Sequence, residues 1–164
     1  MGATKSGYLV IADISGYTSF LAQVELEHAH EILTSLLEVL VVNFKTMLTI
    51  SKLEGDAVFA TVDQSLVLRP ESLLELIENT YLAFRRKRDS SVRSTTCTCR
   101  ACQNMHTLEL KFFVHYGDYI VQNISGIREL VGSDVNLAHR LTKNHITENT
   151  GWNSYVLFTQ PARN

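Results

Sequence analysis

A chain of 164 residues is long enough for one domain with a real core and too short for two comfortable ones. Apolar residues make up 45 % and charged residues 20 %, the balance of an ordinary soluble globular protein, and a net charge of −2 supplies no basic field for nucleic acid. The longest apolar stretch, Leu36 to Phe44, is broken by Glu38 and Asn43 and is too short to cross a bilayer, so neither nucleic acid nor a membrane is an expected partner.

In chain order, Gly7–Ala12 is a short apolar run rich in β-formers and predicts a buried strand. Residues 16–44 carry helical spacing, read as two helices meeting near Gln23–Glu27; Ile32, Leu33, Leu36, Leu37, Leu40 and Phe44 mark the apolar stripe. Val39, Val41 and Val42 add apolar surface on the other side, which fits either deep burial or half of a subunit interface. Leu48–Glu54 and Ala57–Val62 predict two strands around a tight Gly55-Asp56 turn. Pro70 suits the first turn of a helix running to about Arg88 and burying Leu73, Leu74, Ile77, Tyr81 and Phe84. Its end, Arg85-Arg86-Lys87-Arg88, reads first as a solvated cationic turn suited to the helix dipole, with a phosphate or RNA site as the other reading.

A polar loop, Asp89–Thr107, follows and holds all the cysteines. Leu108–Tyr116 and Tyr119–Ile124 predict a second hairpin about Gly117-Asp118. Ser133 is expected to cap a helix from Asp134 to about Asn144, and Tyr155–Phe158 to form the last strand. The order β-α-α-β-β-α-β-β-α-β contains a split βαβ core of ferredoxin-like type. The expected fold is therefore α+β, a mixed and mostly antiparallel sheet with helices on one face, forming a single domain over residues 1–164.

Asp13 and Asp56 each sit at the end of an apolar strand, where a carboxylate is poorly solvated unless a cation meets it. On adjacent strands such a pair suits a divalent ion held against a phosphate; singly, each reads equally well as a turn or cap residue. Asn136 and Arg140 are four apart and share one helix face, with Lys143 on the same stripe. Cys97, Cys99 and Cys102 are three thiols within six positions, followed by His106. That set suits tetrahedral Zn²⁺, with free thiols or redox chemistry as the other readings. An odd cluster is no disulfide framework, and no signal-peptide pattern follows Met1, so a reducing cytoplasm is the expected location.

Ala12-Asp13-Ile-Ser-Gly16-Tyr-Thr18, Lys52-x-x-Gly55-Asp56 and Val135-Asn136-x-Ala138-x-Arg140 together resemble the catalytic domain of class III nucleotidyl cyclases. The Cys-x-Cys-x-Ala-Cys run resembles an insert of an uncharacterised bacterial family of cyclase-like proteins. The resemblance implies that Asp13 and Asp56 bind Mg²⁺ or Mn²⁺, assisted by the Ile14 carbonyl. It implies that the turn of Ser15, Gly16, Tyr17 and Thr18 cradles phosphates at a helix N-terminus. Lys52 falls where the family reads the adenine edge, with Glu129, seven residues before Asn136, where the family has Asp; this favours ATP over GTP. Asn136 and Arg140 would orient the ribose and stabilise charge on the α-phosphate, and Lys111 would lie near the phosphates. His115 also matches a family histidine, although a lone histidine beside a hairpin is usually structural.

The implied assembly is a head-to-tail homodimer converting ATP to cyclic AMP and pyrophosphate, with an inactive nucleotide-binding or scaffold module as the alternative. One family feature has no counterpart up to Asn164: a final hairpin with a Lys-Gly motif that grips the β- and γ-phosphates. A truncated chain, a degenerate site and a substitute group all fit that difference.

Overall fold

The structure is a computed structural model that describes residues 2–67 and 69–163, the side chain of Arg163 excepted. Its centre is β1 (Thr4–Ser15), a strand made by the run Tyr8-Leu-Val-Ile-Ala12 and longer at both ends than its apolar core. β1 is flanked by antiparallel neighbours on both sides, β3 (Ala57–Asp63) and β4 (Glu109–Ile124). β2 (Thr49–Glu54) pairs with β3, and β5 (Ile127–Val131) pairs with β4, giving the order β2-β3-β1-β4-β5. β6 (Tyr155–Phe158) joins β4 in parallel, the one parallel pairing among the described strands. The α+β class and the mostly antiparallel sheet are thus as expected.

β1 reads as an unbroken apolar run because both faces of the sheet are covered. Tyr8, Val10, Ala12 and Ile14 face the main core, where α2 (Leu26–Phe44) contributes Leu33, Leu36, Leu40 and Phe44. α3 (Pro70–Ser94) contributes Leu73, Leu76, Ile77 and Phe84 to the same core. Leu9 and Ile11 point the other way and pack with Phe59, Phe113 and Tyr119 against one short helix, α5 (Ser133–Arg140), through Val135 and Ala138. The long helices therefore share one face, and α5 alone, among the described helices in these two cores, covers the centre of the other. In α2, Leu40 is fully buried while Val42 is 66 % exposed, so the apolar surface opposite the stripe is only partly covered within one chain.

Five expectations are corrected. The second hairpin does not turn at Gly117-Asp118, because β1 continues outward and keeps both residues in register, Gly7 opposite Gly117 and Ser6 opposite Asp118. The chain turns instead at Ser125 and Gly126, both with positive φ (51° and 84°), the backbone a tight hairpin requires. Gly117 serves a different need: a Cβ there would collide with the side chain of Asp134, which lies flat against the strand.

α3 runs on to Ser94, so the expected 89–107 loop is reduced to a short link, α4 (Arg100–Asn104) and a 3₁₀ turn. Arg88 is not solvated but 5 % exposed, donating to Glu109, Asp89 and the Leu108 carbonyl. Leu74 is 42 % exposed, its place in the core taken by Leu76. Finally, α5 starts one residue early, with Gly132 at the cap position, and ends at Arg140 rather than near Asn144. The Asn144 side chain instead accepts from the Ile146 N–H and the Tyr155 hydroxyl, which holds the following turn. α1 (Tyr17–Gln23), α6 (Ile146–Thr150) and α7 (Gln160–Arg163) complete the chain. Among the described residues no helix is long and apolar enough to cross a membrane.

Candidate functional site

Strand pairing brings Asp13 and Asp56 to one place. Asp13 is the last residue of β1 in register with β3, opposite Ala57, and Asp56 is the turn residue just before it. The Ile14 N–H donates to the Asp56 carbonyl at 2.9 Å, locking the two backbones together. The two carboxyls lie close enough to influence each other's ionisation. Burial first and the Asp56 charge second push Asp13 up to about 7, against the opposing pull of Lys111; burial also raises Asp56. Two neighbouring hard oxygen donors whose ionisation is disfavoured by burial are the kind of group a divalent cation would neutralise. Mg²⁺ or Mn²⁺ fits that donor set.

A cleft of about 330 Å³ opens on this pair, lined by Ile11, Asp13, Glu54 and Asp56, by His139 in the last turn of α5, and by Thr142 and Lys143 just beyond it. His139 stacks on Phe59 with ring centres 4.7 Å apart and faces Glu54 at 3.5 Å. Because α5 ends at Arg140, Lys143 leaves the helical stripe it was expected to share with Asn136 and Arg140 and borders the carboxylates instead. Lys111 sits opposite Asp13 in β4, its ammonium 5.4 Å from the ring centre of Tyr155. The Asp13 charge also reaches Tyr155, whose hydroxyl is pushed up mainly by burial. Tyr155, His139, Thr142 and Glu54 escaped the sequence reading, since they converge only through sheet register and the α5 turn.

The 15–18 turn adjoins the pair. Gly16 adopts a left-handed conformation (φ 86°) ahead of α1, Ser15 is buried, and Gly16 and Thr18 are exposed. The Tyr17 hydroxyl is raised by burial and by the Asp56 charge. The other expected residues are not brought here within one chain. Asn136 and Arg140 are exposed on α5 and do not line the carboxylate cleft. Lys52 is exposed on β2, paired with Glu54 at 3.8 Å. Glu129 is exposed on β5 opposite Gln122, on the same face as Ile120, Ile124, Ile127 and Val131. His115 is buried between Asp134 and Thr159, at 2.8 Å from each, and is structural.

The cysteines do converge, with one change of partner. His28 of α2, not His106, faces Cys97, Cys99 and Cys102, and the four ligand atoms all lie within 4.8 Å of one another. His106 is held away because its Nδ1 engages the Gln103 carbonyl at 2.9 Å. Nearness in sequence suggested His106; His28 lies some seventy residues upstream and becomes a neighbour only by packing of α4 on α2. The grouping could hold a metal ion.

Comparison with solved structures shows the nucleotidyl cyclase-type fold. A bacterial light-regulated adenylyl cyclase matches with a TM-score of 0.74 and 15 % identity, over 99 % of this chain and 45 % of that one. The adenylyl cyclase CyaB from P. aeruginosa matches with 0.71 and 20 % identity, over 87 % and 74 %. The guanylyl cyclase Cya2 matches with 0.70 and 18 % identity, over 87 % and 71 %. At these identities the likeness is one of fold. In sequence, the chain is 33 % identical over 102 residues to the uncharacterized protein Rv2561/Rv2562 of Mycobacterium tuberculosis (strain ATCC 25618 / H37Rv). That match takes in 59 % of this chain and spans 45 % of the relative's length. Residues 33–150 match the model of the family described as protein of unknown function (DUF2652), most of the chain, and with its cyclase-type fold the chain belongs to that family.

Proposed function

We propose that this chain is a nucleotidyl cyclase-like domain that binds ATP with divalent metal at Asp13 and Asp56 and converts it to cyclic AMP and pyrophosphate between two copies. The observation that carries this reading is the pair of partly buried carboxyls in mutual contact at strand ends of a cyclase-type fold. When bound there, Mg²⁺ or Mn²⁺ supplies charge neutralisation for the triphosphate and for the attacking ribose 3′-oxygen. Asp13, Asp56 and the Ile14 carbonyl hold the metal, and Ser15, Gly16, Tyr17 and Thr18 flank the phosphates. Lys143 adds positive charge in the same cleft, at a place the resemblance did not assign, and Lys111 adds it from the position opposite Asp13 in β4.

Asn136 and Arg140 act from the second copy, orienting the ribose and stabilising charge on the α-phosphate. Their exposure away from their own carboxylate cleft supports a site completed by a partner. Lys52 and Glu129 read the base. Zn²⁺ is the ion for the sulfur cluster, since soft thiolates and hard carboxylates select different metals. One observation favours the alternative of a binding or scaffold module without turnover: Lys52 pairs with Glu54 rather than with Glu129.

Calorimetric titration of ATP in the presence of Mg²⁺ or Mn²⁺ tests the first half. Asp13→Ala is expected to abolish metal-dependent binding, since a triphosphate is held largely through its ions; binding equal to wild type sinks the two-metal reading. Arg140→Ala is expected to leave binding nearly intact and lower turnover about 10²–10³-fold, the scale for losing one oxyanion-type donor. Mixing the two variants should restore part of the activity, because one of the two sites in a mixed dimer keeps both residues. Wild type that binds ATP but never turns it over selects the module reading.

A further inference from the structure

We propose that His28, Cys97, Cys99 and Cys102 form a closed structural Zn²⁺ site that fastens the 95–107 segment to the first turn of α2. The site is independent of the nucleotide reading. The Nδ1 atom of His28 stands 2.9 Å from the Cys99 sulfur, 3.5 Å from that of Cys97 and 3.8 Å from that of Cys102. A tetrahedral zinc ion, with Zn–S near 2.3 Å and Zn–N near 2.0–2.1 Å, sets neighbouring ligand atoms about 3.5–3.8 Å apart. The observed separations straddle that range, so small side-chain adjustments suffice to enclose the ion. To bind the ion through Nδ1, the neutral ring would carry its proton on Nε2 and offer Nδ1 as a lone-pair donor.

The backbone around the thiols is already arranged to support them. The Cys102 N–H points at the Cys99 sulfur at 3.4 Å, and the Gln103 N–H donates to the Cys99 carbonyl at 3.0 Å, so Cys99 opens α4 and Cys102 lies one turn on. The Ala101 N–H donates to the Glu25 carboxylate, directly before α2, and the Ala101 side chain is fully buried. All three cysteines are free thiols, only partly exposed. Among the described residues this is the one grouping of three or more histidine, cysteine or acidic side chains close enough to share an ion. Three thiolates and an imidazole fill a tetrahedral shell, leaving no open position for substrate, which makes the site structural rather than catalytic.

What the ion would hold in place is specific. The segment buries little apolar surface of its own beyond Ala101 and Met105, so packing alone retains it weakly. Asn104 and Thr107, just past the ligands, share a cavity of about 280 Å³ with Ser15, Gly16 and Ser19. The zinc clamp therefore backs the same turn that borders Asp13.

The test uses the whole chain purified without chelator under reducing conditions. Elemental analysis is expected to give close to one zinc per chain, and X-ray absorption to report three sulfur neighbours and one nitrogen. Co²⁺ in place of Zn²⁺ should show the intense visible bands of a tetrahedral thiolate site. His106→Ala should keep the metal. His28→Ala should weaken zinc affinity by more than about 100-fold in competition with a chromophoric chelator, beyond the 10–100-fold cost of losing an outer-shell contact. Asp13→Ala should keep zinc, so this proposal and the nucleotide reading fail separately. A chain that stays below about 0.1 equivalent after incubation with Zn²⁺, with three freely titratable thiols, overturns the site. Four sulfur neighbours, oxygen in place of nitrogen, or equal losses in His106→Ala and His28→Ala overturn the ligand set. Should His28→Ala fail to fold, the absorption and cobalt spectra of the wild type decide alone.

Discussion

Asp134 ties α5 to the sheet: one carboxylate oxygen meets His115 Nε2 at 2.8 Å, and the other accepts the Asp118 N–H at 2.9 Å. The hydrogen bond from His115, then that from Asp118, hold its carboxyl below the ordinary value of 3.8. A depressed carboxylate adds stability that is full above the unfolded value and is lost as pH falls through the folded one. Thermal melts are therefore expected to show wild type losing more stability than Asp134→Asn as pH drops below about 4, and the two converging at the acid end. A constant gap down to the lowest pH would contradict the contact. The same side chain explains Gly117, where a Cβ has no room. Gly117→Ala should cost about 1–3 kcal/mol by urea titration, the range for overpacking, and Asp134→Gly in the same chain should recover part of it.

At the level of elements, the β4–β5 hairpin is the part whose surface does not suit water. Ile120 faces Val131 and Ile124 faces Ile127 across the ladder, with Ile124 59 % and Ile127 65 % exposed. Val121 and Leu130, on the opposite side, are packed against the second core. A two-stranded arm with apolar residues on both faces has one face too many for a lone chain. In the proposed dimer a second copy would cover the face of the arm that carries Glu129. The double variant Ile124→Lys, Ile127→Lys is expected to shift the chain to monomer in sedimentation while leaving its circular dichroism unchanged. Wild type that sediments as a monomer at high concentration would remove that role from the arm.

Across the whole molecule, the reading places metal ligands and the Arg140 face on different copies, so activity should depend on concentration. Specific turnover is expected to rise with protein concentration until the dimer is populated and to vanish in the arm variant, whose Asp13 and Arg140 are untouched. Turnover per chain that is flat over a range in which sedimentation shows dissociation would contradict a shared site. The main core argues that such changes at the arm stay local. Phe44 and Phe84 are fully buried far along the chain from the hairpin, and truncating either would cost about 3–5 kcal/mol instead.

Much of this was legible in the residues alone. The run Tyr8–Ala12, the i, i+3, i+4 stripe of α2 and the Gly55-Asp56 turn are local signals, written by side-chain period and backbone freedom. They placed the strand ends that carry Asp13 and Asp56. Local signals also misled where a distant strand competed for the backbone: Gly117-Asp118 reads as a turn, but β1 pairs across it, and the Ser125-Gly126 turn then closes the hairpin. The three thiols were visible as a cluster because they lie within one turn and its lead-in, whereas His28 became their neighbour only when α4 packed on α2. Sequence determined which groups this chain has for metal and phosphate chemistry, since residue type and short spacing are covalent facts. Tertiary structure decided which of them meet, because contacts across seventy residues depend on sheet register and helix packing that no local pattern encodes.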